Sequence, residues 1–181
     1  MHGSSDMSGN YPGRGSGGGV ENRGTLVMYD MSRIAEQGRV SNTGRLTLND
    51  MSSIHDDWMG GCVSVMCGPA GSPGAGVYNK GVLTMNDASS IHHNRVGGPS
   101  QNHLPQYPGA RGGGVYNEGT LTMTGSSRIT DNEAQNGGNG VPGLGGGLYN
   151  ASGGILVGVN CAPHTYANVY GNTPDDCFYE S

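Results

Sequence analysis

The sequence predicts an all-β solenoid, a parallel β-helix of about five rungs with loops inserted along one edge. Three observations predict it. A unit of about 20 residues recurs along most of the chain. Within each unit, apolar and polar residues alternate at period two, the pattern of strands. Glycine and asparagine punctuate the unit at fixed places, where a chain turns. No 3.6-residue periodicity of useful length competes with this pattern.

The unit is clearest from Gly112 to Asn132, which reads Gly-Gly-Gly-Val-Tyr-Asn-Glu-Gly-Thr-Leu-Thr-Met-Thr-Gly-Ser-Ser-Arg-Ile-Thr-Asp-Asn. Copies begin at Gly17, at Val40 (without the glycine run), at Gly74 and, more loosely, at Gly145. Three short strands per unit, with glycine or asparagine at the corners, describe one rung. A single rung cannot bury its apolar face, but stacked rungs share a continuous core.

Each rung is expected to send one residue into each of four columns. Val20, Val40, Val77, Val115 and Leu148 form the first, and Leu26, Leu46, Leu83, Leu121 and Leu156 the second. Met28, Leu48, Met85 and Met123 form the third, and Ile34, Ile54, Ile91, Ile129 and Val169 the fourth. Gly24, Gly44, Gly81 and Gly119 are read as corners that need a positive φ. Asn22, Asn42, Asn79, Asn117 and Asn150 form a column whose stacked amides bond rung to rung. Asn10, Asn94, Asn132 and Asn172 form another, with Gln37 and Asp57 in the same register.

The Gly-Gly-Gly-Val and Ile-x-x-Asn pairs resemble the Gly-Gly-Ala-Ile and Phe-x-x-Asn pairs of the polymorphic outer-membrane protein repeats. Those repeats occur in bacterial surface proteins and autotransporter passengers of the right-handed parallel β-helix type. The resemblance runs from Gly17 to about Asn172. It departs in using Gly or Ala–Gly for Gly–Ala, and Ile or Val for Phe. It implies a right-handed solenoid in a cell-surface or extracellular setting and an adhesin-like role. It implies no particular ligand.

Composition narrows the function classes. The net charge of −5 and only nine basic residues speak against a nucleic-acid partner. No run of about 18 apolar residues exists to span a membrane as a helix. The start, Met1-His2-Gly3-Ser4-Ser5, has no apolar signal core. The 36 glycines and 9 prolines would ordinarily suggest low complexity, but the phased columns argue for order in the rungs. Four cysteines allow three pairings, and Cys62–Cys67 with Cys161–Cys177 is favoured, which implies an oxidising compartment. Four cysteines on one zinc are the alternative, though C-x4-C and C-x15-C are not zinc-ribbon spacings. No cofactor or metal motif is read.

Residues 1–172 are expected to form the solenoid and 173–181 its C-terminal cap. Ser4 to Asn10 matches the end of a unit, so the chain is expected to start in mid-repeat. That start implies upstream rungs of a longer protein, or a partner on that end through end-to-end self-association. Insertions at Trp58 to Pro73, Arg95 to Arg111 and Glu133 to Leu144 fall at one point of the rung and must leave one edge. Such one-sided insertions are often a binding face. They carry Trp58, the first cysteine pair and Tyr107. Tyr78, Tyr116 and Tyr149 share one column, and alternation points them outward as an aromatic strip for sugar rings or, more simply, a shield for the sheet.

One constellation has chemistry suited to proton transfer or metal binding. His55 stands beside His92, and Glu36, Asp56, His93 and Asp131 share a column. No base, acid and orienting group stand in a known spacing, and the Asn-Thr-Asp, Gly-His-Gly and Arg-Ile-Lys motifs of polygalacturonases are absent. Thr120-x-Thr122-x-Thr124 is the only row of the kind ice-binding faces repeat. The reading is therefore a non-catalytic surface β-helix that binds a carbohydrate or protein surface or serves structurally. The alternative is a carbohydrate-active enzyme, a polysaccharide lyase or glycoside hydrolase, or a degenerate relative of one.

Overall fold

Period-two alternation in short segments does produce strands. The computed structural model describes residues 1–9, 19–36, 38–59, 73–97, 109–137 and 140–181. Asn10, Gln37, Cys62, Cys67 and Tyr107 lie outside them. The chain opens with β1 (Asp6–Ser8). The first full rung gives β2 (Val20–Asn22), β3 (Thr25–Met28) and β4 (Arg33–Ala35). The next gives β5 (Val40–Asn42), β6 (Arg45–Leu48), β7 (Ser53–His55) and β8 (Trp58–Met59). Then come β9 (Val77–Asn79), β10 (Val82–Met85), β11 (Ser90–His92) and β12 (Arg95–Val96). The fourth rung gives β13 (Val115–Asn117), β14 (Thr120–Met123), β15 (Arg128–Thr130) and β16 (Glu133–Ala134). The chain closes with β17 (Leu148–Asn150), β18 (Ile155–Val157), β19 (Val169–Tyr170) and β20 (Cys177–Tyr179).

All these strands pair in parallel, each with its copy on the neighbouring rung, so the fold is a parallel β-solenoid. One sheet runs β1-β4-β7-β11-β15-β19, a second β2-β5-β9-β13-β17-β20 and a third β18-β14-β10-β6-β3. The registers align the four apolar columns residue for residue, as in Leu46, Leu83 and Leu121. Met7 extends the isoleucine column and Cys177 the valine column. Sixteen buried side chains from these columns make one core. Burying each is worth roughly 1.5–3 kcal/mol. Among the described residues no helix is long and apolar enough to cross a membrane.

The asparagine columns are hydrogen-bonded ladders. Asn22 donates to Asn42 at 2.7 Å, Asn42 to Asn79 at 2.8 Å, and Asn79 to Asn117 and Asn117 to Asn150 at 2.7 Å each. In the second ladder, Asn94 donates to Asn132 and Asn132 to Asn172, both at 3.0 Å. Asn172 donates to Asp176 at 2.9 Å, which ends the run with a carboxylate. Asn42, Asn79, Asn94 and Asn117 are fully buried, so these bonds satisfy amides that water cannot reach.

Two expectations need correction. The glycines at 24, 44, 81 and 119 do not adopt a positive φ. Their constraint is contact: a Cβ on Gly44 would stand 2.1 Å from the Gly24 carbonyl oxygen, and one on Gly81 2.1 Å from that of Gly44. The left-handed corners fall instead on Asp30, Asp50 and Asp87, and on Glu36, Asp56, His93 and Asp131. The second correction concerns the insertions. Their first two residues pair rung to rung as a fourth ladder, β8-β12-β16, so each insertion begins two residues later than the repeat suggests. Met59, Ala75, Val96, Ala110 and Ala134 give that edge a small core of its own.

At the far end Cys161 and Cys177 are disulfide-bonded. Within the closing segment, β20 is the sixth strand of its sheet, not a free tail.

The glycine column yields a contrast. Gly81→Ala is expected to lower unfolding stability by about 3 kcal/mol or more, because backbone and not a flexible side chain opposes the new Cβ. Gly24→Ala, which meets nothing within 4 Å, should change it by less than about 1 kcal/mol. Urea unfolding of the two variants checks this, and equal losses would count against the contact argument.

Candidate functional site

The His/Asp constellation lies at the corner where the chain leaves the β1-β4-β7-β11-β15-β19 sheet. One residue per rung there is left-handed: Gly9, Glu36, Asp56, His93, Asp131 and Gly171, with φ of 75°, 54°, 55°, 55°, 57° and 71°. This turn aims the next residue into the second asparagine ladder, which Asp57 joins by donating its backbone N–H to Asn94 Oδ1 at 3.0 Å. Asp56 and Asp131 therefore have a backbone reason to be where they are, since aspartate tolerates the left-handed region. The position before the corner is occupied in register by Ala35, His55, His92, Thr130 and Tyr170.

Of the candidates His55, Asp56, His92, His93 and Asp131, the first four come together. His55 Nδ1 lies 2.7 Å from Asp56 Oδ2. The His55 and His92 rings stack at 4.9 Å, within 6° of parallel. His92 Nδ1 lies 2.8 Å from His93 Nδ1, with the two rings nearly perpendicular. Asp131 sits in its column on the next rung, and among the described residues no hydrogen bond or ion pair joins it to the histidines. Burial, reinforced by the charges that His55 and His93 can carry, pushes His92 from 6.5 down to about 4. A carboxylate-oriented imidazole is half of a general-base arrangement. The described cleft, about 360 Å³, is elsewhere, at the disulfide-closed end beside His164, Asp175 and Tyr179. Among the described residues no three His, Cys, Asp or Glu side chains converge on a metal position.

Of the two readings of the tyrosine column, the geometry fits the shield. Tyr78, Tyr116 and Tyr149 point away from the main core and pack ring against ring, tilted between the first two and stacked between the last two, but they are not an exposed strip. Tyr116 is 8% and Tyr149 1% exposed. Rings meet at 5.5 Å for Tyr78–Tyr116 and 4.9 Å for Tyr116–Tyr149, and Phe178 continues the column at 5.1 Å. Arg39 lies over Tyr78 and Arg111 over Tyr149. Burial raises the Tyr116 and Tyr149 hydroxyls, Tyr149 to about 12. The Tyr149 hydroxyl also holds Glu180 below the usual carboxylate range. The column shields its sheet. Phe178 was readable in the sequence, since Cys177-Phe178 copies Leu148-Tyr149, but the arginine cover was not.

Trp58 is 59% exposed at the start of the insertion ladder. Arg95 is its register partner, and the Arg95 guanidinium pairs with Glu133 at 3.1 Å. No protein-family model, curated protein or solved structure matches this chain.

The depressed His92 titration has a sign. Between about pH 4 and 6.5 the unfolded chain holds a proton on His92 that the folded chain does not. Stability is therefore expected to fall as the pH drops through that window, with no further loss from this group below it. His92→Gln should flatten that part of the profile. Urea midpoints across the window test this, and identical slopes for both proteins would contradict it.

Proposed function

We propose that this chain is a non-catalytic β-solenoid segment of an extracellular or cell-surface protein, acting as an adhesin-like binding or structural module. The edge from which the insertions leave carries the reading. Three insertions rise from one ladder with its own small core, and the exposed Trp58 stands at its base. A ladder from which long insertions leave on one side suits the recognition of a carbohydrate or protein surface by many modest contacts. The Cys161–Cys177 disulfide supports an oxidising compartment. The right-handed sense and the outer-membrane setting rest on the repeat resemblance.

The alternative is a carbohydrate-active enzyme using the His55–Asp56 pair. It is supported by the 2.7 Å contact, the arrangement that orients a base. A polysaccharide panel in native gels, read beside absorbance for unsaturated uronate product and an assay for released reducing ends, separates the two. Retardation without product is expected, and Trp58→Ala should weaken it about tenfold, the usual scale for an aromatic anchor. Asp56→Asn should leave it unchanged. Product that disappears in Asp56→Asn would replace the binding reading with the enzymatic one.

A further inference from the structure

The corner column explains its aspartates but not its histidines. The left-handed turn needs only a tolerant backbone, which Asp, Asn or Gly supplies. On the β11 rung it carries His93, directly after His92, and the two Nδ1 atoms face each other at 2.8 Å. His55 stacks on His92 and is itself held by Asp56. The His92 ring is thus fixed between two neighbours, while His93 lies exposed on the solvent side.

Two imidazole nitrogens that converge form a chelate when their lone pairs meet on one ion. Metal–nitrogen bonds to histidine are about 2.0–2.1 Å. Two such bonds at a right angle place the nitrogens about 2.8–2.9 Å apart, whereas a tetrahedral angle places them about 3.3 Å apart. The 2.8 Å of the metal-free hydrogen bond already brings the nitrogens to the right-angle bite that tetragonal ions such as Cu²⁺ and Ni²⁺ use, so chelation needs little movement of either ring. With only two protein nitrogens the bound ion must be one of high intrinsic affinity. The Irving–Williams order puts Cu²⁺ first.

We propose that His92 and His93 chelate a tetragonal divalent transition-metal ion, Cu²⁺ before Ni²⁺ or Zn²⁺, through their Nδ1 atoms, with water in the remaining positions. Without metal, one Nδ1–H donates to the other Nδ1. On chelation that ring takes its Nε2–H tautomer, both rings stay neutral, and no net proton leaves the pair. Asp56 and His55 act as positioning residues, through the stack on His92.

The test is calorimetric titration of the whole chain with Cu²⁺ alone, joined to electron paramagnetic resonance of the loaded protein. A tetragonal signal with two nitrogen ligands is expected, with a dissociation constant on the order of micromolar. His93→Asn suits the left-handed corner, so it should keep the unfolding midpoint while weakening that site at least tenfold. The exposed His2 offers Cu²⁺ a separate place, so His2→Asn should leave the two-nitrogen signal intact. The proposal is overturned if wild type shows no such signal, if His93→Asn binds like wild type, or if His2→Asn removes all binding.

Discussion

Each rung lies in parallel register on the one before it, at the strand spacing of about 4.8 Å. Every other feature answers to that constraint. A residue that suits one rung meets its equivalents above and below, so its merits and faults are repeated along the solenoid. Amides profit, because an asparagine both donates and accepts and can propagate through five rungs from Asn22 to Asn150. Isolated carboxylates would repel at this spacing. The Asp30, Asp50 and Asp87 column persists because amides face it. The Gly3 N–H donates to Asp30 at 2.7 Å, the Asp30 N–H to Asp50 at 2.9 Å and the Asp50 N–H to Asp87 at 3.2 Å.

The same constraint explains how a chain with 36 glycines folds. Backbone stacked on backbone at a tight corner leaves no room for a Cβ, and Gly44, Gly81 and Gly119 are needed for that space. The conformational entropy that glycine loses is high, up to about 1 kcal/mol more than alanine. Against it stand four apolar columns and two amide ladders that share their boundaries with every neighbouring rung. The folding unit is therefore the stack and not the rung, as in other repeat arrays.

What the sequence reveals follows from which interactions repeat. The columns of Val40, Leu46, Leu48 and Ile54 were legible because period two and the unit length fix each position twice. Glycine at 44 and 81 was legible as a constraint but not as the right one, because a missing Cβ serves positive φ and close contact alike in a sequence. The burial of Tyr149 was not legible, since it depends on Arg111 and Glu180, which no repeat relates to it. The two-residue strands β8, β12 and β16 are too short to carry a period, and only stacking makes them a ladder. At the candidate site the neighbours His55, Asp56, His92 and His93 followed from register, whereas the 2.8 Å contact between His92 and His93 depends on rotamers.

A solenoid separates the positions that hold it together from those that are free to vary. Inward columns and ladder amides must repeat, and they do, from Met7 through Val169 in the isoleucine column. The corner one residue before the second ladder must repeat only its backbone. It accepts Gly9, Glu36, Asp56, His93, Asp131 and Gly171 in turn, all left-handed, whether glycine, carboxylate or imidazole. The insertion edge is freer still, because past each short ladder strand the chain need only return to the next rung. Specific chemistry on this scaffold therefore belongs at places where the repeat breaks in side chain but not in backbone. The β11 corner, where two histidines follow one another, is such a place. The tyrosine column repeats from Tyr78 to Tyr149 and is covered by arginines, which marks it as part of the fold.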